Sequence, residues 1–226
     1  PDGAVAFRLD GEKRPSCVGT SNLGHLLRSD LIPQESQKFI VQLLMSPHML
    51  TGFGIRTLAS NETRYNPVSY HNGSVWPHDT SLIMAGLRRH GYLPEALRVM
   101  ENLLKAQAAF EYYRLPELFC GFSANEVDHP VPYPVSCSPQ AWAAAVPIFV
   151  IEQILGLRPD AFAQQIGLDP ILPLSVPYLE IHGIPLGHGE LSLALTRHTE
   201  LYPEVRILKN STGWPVVLHT MAKEVM

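Results

Sequence analysis

The sequence predicts a mainly α fold, a partial α/α toroid, followed by a small antiparallel β unit at the C-terminal end. Helical hairpins with apolar residues every three to four positions alternate with long loops that are rich in aromatic and polar residues. Near residue 160 this changes to short alternating runs, about ten residues apart, separated by Gly and Pro. We therefore expect two domains, residues 1–160 and residues 161–226.

The first elements are short. Apolar residues alternate over residues 5–9 before the turn signal Asp10-Gly11, which predicts a strand. A short helix carrying three leucines should follow, capped by Ser21 or Asn22, and a better amphipathic helix should begin at Pro33.

The central elements predict an antiparallel helical hairpin. Residues 79–89 have helical apolar spacing, and Gly91 stands where a helix C-cap is expected. Pro94 begins the partner helix after a connection of about four residues. A last helix over residues 141–157 is apolar almost all round, so we expect it to be buried, capped by Ser138-Pro139 and kinked at Pro147.

Two long loops carry most of the residues suited to chemistry. The first loop (residues 64–79) reads RYNPVSYHNGSVWPHD, and the second loop (residues 115–137) follows the hairpin. Rings with polar tips, together with amide, imidazole and carboxylate groups, suit a sugar, which has apolar C–H faces and many hydroxyls. Both loops should meet at one end of the helices. The alternative for the first loop is a purely structural role, in which the loop is ordered and Trp76 packs at its centre.

Composition excludes several classes of function. The net charge of −4 and the lack of a Lys/Arg run argue against nucleic acid, and no apolar run approaches the roughly 20 residues that span a membrane. Three cysteines without CxxC spacing predict free thiols in a reducing, cytoplasmic compartment. His71 and His78 lack zinc-site spacing, and there is no GxSxG motif, so we expect no metal, no cofactor and no Ser nucleophile.

Three strings carry a resemblance to a known family: RTLASNETRYNPVSYHNGSVWPHD, LPELFCGF and HPVPYPVSCSPQAW. Residues 20–157 resemble the C-terminal part of the amylo-α-1,6-glucosidase (glycogen debranching enzyme) family, and the β tail resembles its appendage. The resemblance implies a six-hairpin (α/α)6 glycosidase that hydrolyses α-linked glucans with inversion at the anomeric carbon.

The resemblance also implies a larger catalytic domain. A complete (α/α)6 barrel has twelve helices, whereas the sequence predicts about five or six. We therefore expect the chain to be a fragment, with the rest of the catalytic domain and its general acid upstream of residue 1. On this expectation the isolated chain lacks glucosidase activity.

Inverting hydrolysis needs an acid and a base roughly 6.5–9.5 Å apart. The irregular segments offer Asp79, Glu117, Glu126 and Asp128. Glu117 is the best candidate for the base because apolar residues flank it after Leu115-Pro116, and the resemblance assigns that role to the Glu of PELF. The alternative interpretation of Glu117 is a loop carboxylate that forms a salt bridge and has no catalytic role. If Glu117 is not the base, Glu126 and Asp128 are the next candidates for that role.

The remaining candidates concern substrate binding. Asp79 stands at a helix N-terminus, where an acid stabilises the helix dipole, and it is otherwise expected to contact a substrate hydroxyl. We expect the other substrate-binding groups to be Tyr70, His71, Asn72, Trp76 and His78.

Two other functions stay open. The aromatic loops would equally serve a carbohydrate-binding or interaction module without catalysis. Phosphorolysis is the other alternative, and a Glu at the expected position of the base argues against it because phosphate makes a base unnecessary.

Overall fold

A computed structural model describes residues 5–198 and 202–219. The chain divides into two compact units, residues 1–147 and residues 148–226. The division into domains at residues 1–160 and 161–226 stays a prediction.

The prediction of a mainly α toroid is wrong. The described residues form five α-helices and eight β-strands in three sheets, which is a mixed α/β fold. The Gly- and Pro-rich segments between the helices satisfy their backbone groups by pairing with each other instead of extending the helical array. In the second unit, strands outnumber helices.

The first unit contains one small hairpin and most of the helices. Strands β1 (Arg8–Leu9) and β2 (Pro15–Ser16) pair across the predicted Asp10 turn. The helices are α1 (Gln34–Leu44), α2 (Pro77–Arg89), α3 (Leu93–Ala108) and α4 (Ala141–Ala144), with 3-10 segments at Ser21–Arg28 and Glu111–Tyr113.

The hairpin of α2 and α3 is confirmed. Pro77 occupies the first position of α2, where its missing N–H costs no hydrogen bond. Gly91 has a φ of 80°, and the N–H of Tyr92 donates to the carbonyl of Leu87 at 3.0 Å, which closes the helix as predicted.

The segment Ser21–Arg28 is a 3-10 helix whose N-cap is Thr20, so neither Ser21 nor Asn22 caps it. Glycines bring it close to α2. A Cβ at Gly24 would lie 2.8 Å from the side chain of Ile83, and one at Gly86 would lie 2.7 Å from Leu27. Only the absence of both side chains allows this approach.

The prediction of one buried helix over residues 141–157 is wrong. Helix α4 ends at Ala144, and α5 (Val146–Leu155) begins after a break at Ala145. Pro147 explains the break because it lacks an N–H for the preceding turn and its ring crowds that turn. Trp142 is 49% exposed, and Gln140, not Ser138-Pro139, occupies the N-cap position.

The second unit is built mainly from strands. Strands β5 (Tyr178–Leu186), β6 (Gly189–Thr196) and β7 (Glu204–Asn210) form an antiparallel sheet, and β6 buries Leu191, Leu193 and Leu195. Strands β3 (Arg158–Asp160), β4 (Gln165–Leu168) and β8 (Val216–Leu218) form a second sheet. Because β8 runs parallel to β4, this unit is not purely antiparallel as predicted.

Across the described part of the chain, no helix has both the length and the apolar character needed to cross a bilayer.

Candidate active site

The two long loops run side by side. Val75 of the first loop and Phe119 of the second exchange both backbone hydrogen bonds, at 2.9 and 3.0 Å. The N–H of Glu117 donates to the carbonyl of Cys137 at 2.9 Å, which closes the second loop on itself. The prediction that the loops meet is therefore confirmed.

The loops approach each other closely at Gly121. A Cβ there would lie 1.7 Å from the carbonyl oxygen of Gly73, so no other residue fits without moving the backbone. The N–H of Gly121 donates to the carbonyl of Pro67 at 2.8 Å.

Arg56 holds this junction together by hydrogen bonds to backbone carbonyls. It is 3% exposed, and its guanidinium donates to the carbonyls of Gly121 at 2.8 Å, Pro47 at 3.0 Å and His48 at 3.1 Å. Its ion pair with Glu126 is longer, at 4.0 Å. Arg56 therefore braces the loops chiefly through backbone carbonyls.

Five rings in contact with one another form an aromatic wall: Tyr70, Trp76, His78, Tyr133 and Trp142. Tyr70 makes edge contacts with Trp76 and Tyr133, at ring-centre distances of 5.0 and 5.7 Å. His78 stacks on Trp142 at 3.9 Å, and Trp76 meets both of those rings edge-on. The indole N–H of Trp76 donates to Ser74 Oγ at 3.0 Å, which fixes the ring.

Glu117 lies beside this wall. Its side chain is buried, with 9% of the residue exposed, and Gln140 Nε2 donates to its Oε1 at 3.0 Å. The hydrogen-bonding interaction with this carboxylate raises the pKa of the Tyr70 phenol, so Tyr70 stays a neutral donor. A buried carboxylate held by neutral donors is a suitable proton acceptor.

His78 is a neutral member of the site. Burial lowers its pKa from the ordinary value of 6.5, while the charges of Asp79 and Glu117 oppose that shift and His25 reinforces it. His78 is thus within electrostatic range of both carboxylates.

Asp79 lies in the first turn of α2, where an acid complements the helix dipole. Its Oδ1 pairs with His25 Nε2, on the 3-10 segment. Its Oδ2 is buried and has no hydrogen-bond partner among the described residues.

The alternative carboxylates are less suited to proton transfer. Glu126 accepts hydrogen bonds from the N–H and hydroxyl of Ser123, at 2.8 and 2.7 Å, and these bonds lower its pKa. Asp128 is exposed on the same loop.

A groove of about 620 Å³ opens beside the first loop. His71 and Asn72 line it together with Thr20, Asn22 and the arginines Arg8 and Arg64. His71 also stacks against Trp76, with ring centres 6.0 Å apart, so the groove adjoins the aromatic wall.

Four of the predicted binding residues lie together with Glu117: Tyr70, His71, Trp76 and His78. The other two make other contacts. Asn72 lines the groove, and Asp79 pairs with His25. The catalytic and binding roles of all of these residues stay predictions. Sequence reasoning missed His25, Tyr133, Gln140 and Trp142. The contacts of these four residues join distant positions of the chain, which no sequence pattern predicts. The aromatic content of residues 131–142 was the only feature of the sequence that pointed to any of them.

No group of three or more His, Cys, Asp or Glu side chains within residues 5–198 and 202–219 is placed to hold a metal ion. Cys17, Cys120 and Cys137 are free thiols.

Comparison with known proteins gives a match that lies within the first unit. Residues 17–119 match the family model described as the mannosylglycerate hydrolase MGH1-like glycoside hydrolase domain. The match covers less than half of the chain but contains the first loop and Glu117. It supports a glycosidase-family domain, and not specifically an amylo-α-1,6-glucosidase. No curated protein matches the chain.

Proposed function

We propose that this protein is a glycoside hydrolase of the amylo-α-1,6-glucosidase type, acting on α-linked glucans with Glu117 as general base. The observation that carries the proposal is the buried Glu117 carboxylate beside an aromatic wall, inside the segment that matches a glycosidase family. The resemblance in the loop sequences supplies the finer assignment of linkage and substrate.

The proposed chemistry inverts the anomeric carbon. Glu117 accepts a proton from a water molecule, whose oxygen attacks the anomeric carbon while the bond to the leaving oxygen breaks. The acid that protonates this leaving oxygen belongs, by resemblance, to a part of the catalytic domain upstream of residue 1.

The rings support the sugar-binding part of the proposal. Trp76, Trp142 and Tyr133 offer apolar faces for sugar C–H groups, and Trp142 is half exposed and open to a ligand. The adjoining groove supports a substrate longer than one sugar, because its 620 Å³ falls within the range of roughly 300–1,000 Å³ typical of ligand pockets.

The matching family is named after a hydrolase of mannosylglycerate, so mannosides are the competing substrates. Comparing the hydrolysis of α-glucosyl fluoride with that of α-mannosyl fluoride shows which of the two sugars the enzyme accepts. Fluoride leaves without protonation, so these substrates test the base and the sugar site without the general acid. In the complete enzyme we expect hydrolysis of the glucosyl fluoride, and Glu117→Gln should slow it by about 10²–10⁴-fold.

Exposed Glu111 provides the matched control, and Glu111→Gln should retain the wild-type rate. Hydrolysis of the mannosyl fluoride alone would contradict the glucan assignment. Binding of α-glucan oligosaccharides without any turnover would indicate a carbohydrate-binding module. A requirement for phosphate, with glucose 1-phosphate as product, would indicate phosphorolysis.

A further inference from the structure

Gln140 is a second polar group at the proposed water site. It lies 23 residues after Glu117, at the N-cap position of α4, and is partly buried. Its Nε2 donates to Glu117 Oε1 at 3.0 Å. Its own Oε1 is buried and accepts no hydrogen bond from any described residue.

The chemistry of the pair fixes the orientation of the Gln140 amide. An ionised carboxylate only accepts hydrogen bonds, so the NH₂ group of Gln140 must face Glu117. The amide oxygen is then the free end of the side chain. A buried oxygen without a partner is costly unless a ligand or a water molecule supplies the missing donor.

We propose that Gln140 Oε1 accepts one hydrogen of the attacking water while Glu117 removes the other. This inference rests on the proposed function of Glu117. One O–H bond of the water breaks and its proton moves to Glu117. The water oxygen bonds to the anomeric carbon, and the leaving group departs with its electron pair. The second hydrogen stays on the new hydroxyl, held by Gln140.

This assignment makes Gln140 a positioning residue with a role separate from sugar binding. Gln140→Ala and Gln140→Met remove the amide, and the second variant retains most of the side-chain volume. We expect kcat for α-glucosyl fluoride to fall by about tenfold to a hundredfold, with KM unchanged, because misplacing a reactant costs about that much. The exposed Gln42 on α1 provides the control, and Gln42→Ala should retain wild-type kinetics.

Azide separates water positioning from a general structural role. In Glu117→Ala, added azide should attack the anomeric carbon in place of water and give the inverted glucosyl azide. Azide has no hydrogen for Gln140 to hold, so adding Gln140→Ala to this variant should leave the azide rate within about twofold. A tenfold or larger loss of the azide reaction would overturn the inference, because Gln140 would then act on the sugar or on the fold.

The two proposals fail in different ways. If Glu117→Gln hydrolyses the fluoride at the wild-type rate, the proposed function fails and the role of Gln140 fails with it. If Glu117→Gln is slow but Gln140→Ala and Gln140→Met hydrolyse at the wild-type rate, only the inference about Gln140 is overturned.

Discussion

Glu117 illustrates how single residues shape the candidate site. Burying a carboxylate is unfavourable unless other groups hydrogen-bond it, and Gln140 and Tyr70 are the groups that approach it. Both of these donors are neutral. This distinguishes Glu117 from Asp79, which pairs with His25.

Trp142 is the ring that we expect to contribute most visibly to sugar binding. It is 49% exposed and stacks on His78, so its loss removes an apolar face without opening the core. Trp142→Ala should weaken the binding of an α-glucan oligosaccharide by about 0.5–1.5 kcal/mol, measured by titration calorimetry. Phe162→Ala, at a fully exposed ring outside the site, is the control; equal affinity of both variants would rule out the role of Trp142.

His78 should make folding stability depend on pH. Because burial lowers its pKa below 6.5, the unfolded state binds the proton more readily than the folded state. The stability that this group contributes is present above about pH 6.5 and is lost as the pH falls through the window towards the folded-state pKa.

The measurement is the free energy of unfolding between about pH 7 and pH 5. His78→Gln should lose less stability on acidification than the wild type, because Gln does not titrate. His188→Gln removes one exposed imidazole elsewhere and serves as control. An equal loss in wild type and His78→Gln would refute the assignment.

At the scale of elements, two glycines set the distance between the 3-10 segment and α2. Gly86→Ala places a methyl group 2.7 Å from Leu27 Cβ and 3.0 Å from its backbone carbon. The better helix propensity of Ala offsets part of this clash, so we expect a net loss of about 1–2 kcal/mol. Thermal unfolding should show it as a fall of roughly 2–8 °C in Tm.

Gly11→Ala is the matched control for that substitution because a Cβ there meets no atom within 4 Å. In Gly86→Ala the added methyl group should push the 3-10 segment away from α2. His25 lies on that segment, so its pair with Asp79 should be disturbed as well. A Gly86→Ala variant as stable as Gly11→Ala would show that the two elements are not closely packed.

Arg56 sets the position of the two loops. Arg56→Met keeps the apolar part of the side chain but removes its three hydrogen bonds to the carbonyls of Gly121, Pro47 and His48. We expect a loss of roughly 1–3 kcal/mol in the free energy of unfolding, measured with urea. Arg98→Met, on the exposed face of α3, should be nearly neutral. If the two variants had the same stability, the bracing role of Arg56 would be wrong.

At the scale of the whole molecule, the sequence predicted the local features best. The end of α2 at Gly91 follows from short-range chemistry, because Gly adopts the positive φ that closes a helix. The meeting of the two loops was predicted from the order of loops and helices along the chain. The contact of Gln140 with Glu117 could not be predicted, since no spacing rule relates residues 23 positions apart in irregular segments.

The toroid prediction failed for a different reason. It extended one confirmed hairpin, α2 with α3, into a repeating array, although the neighbouring segments contain too much Gly and Pro for further long helices. The exposure of Trp142 was missed because an apolar helix normally indicates burial, whereas this ring stacks on His78.

The glycosidase match and the candidate site lie in the same compact unit. Residues 17–119 contain the first loop and Glu117, and all of the rings in the aromatic wall precede residue 147. We therefore attribute the proposed chemistry to the first unit.

The most direct test of Glu117 as the base of an inverting hydrolase is the anomer that forms first. Proton NMR of α-glucosyl fluoride hydrolysis should show β-glucose before mutarotation, and Glu117→Gln should form it about 10²–10⁴-fold more slowly. Initial release of α-glucose, or β-glucose formation by Glu117→Gln at the wild-type rate, would contradict the account.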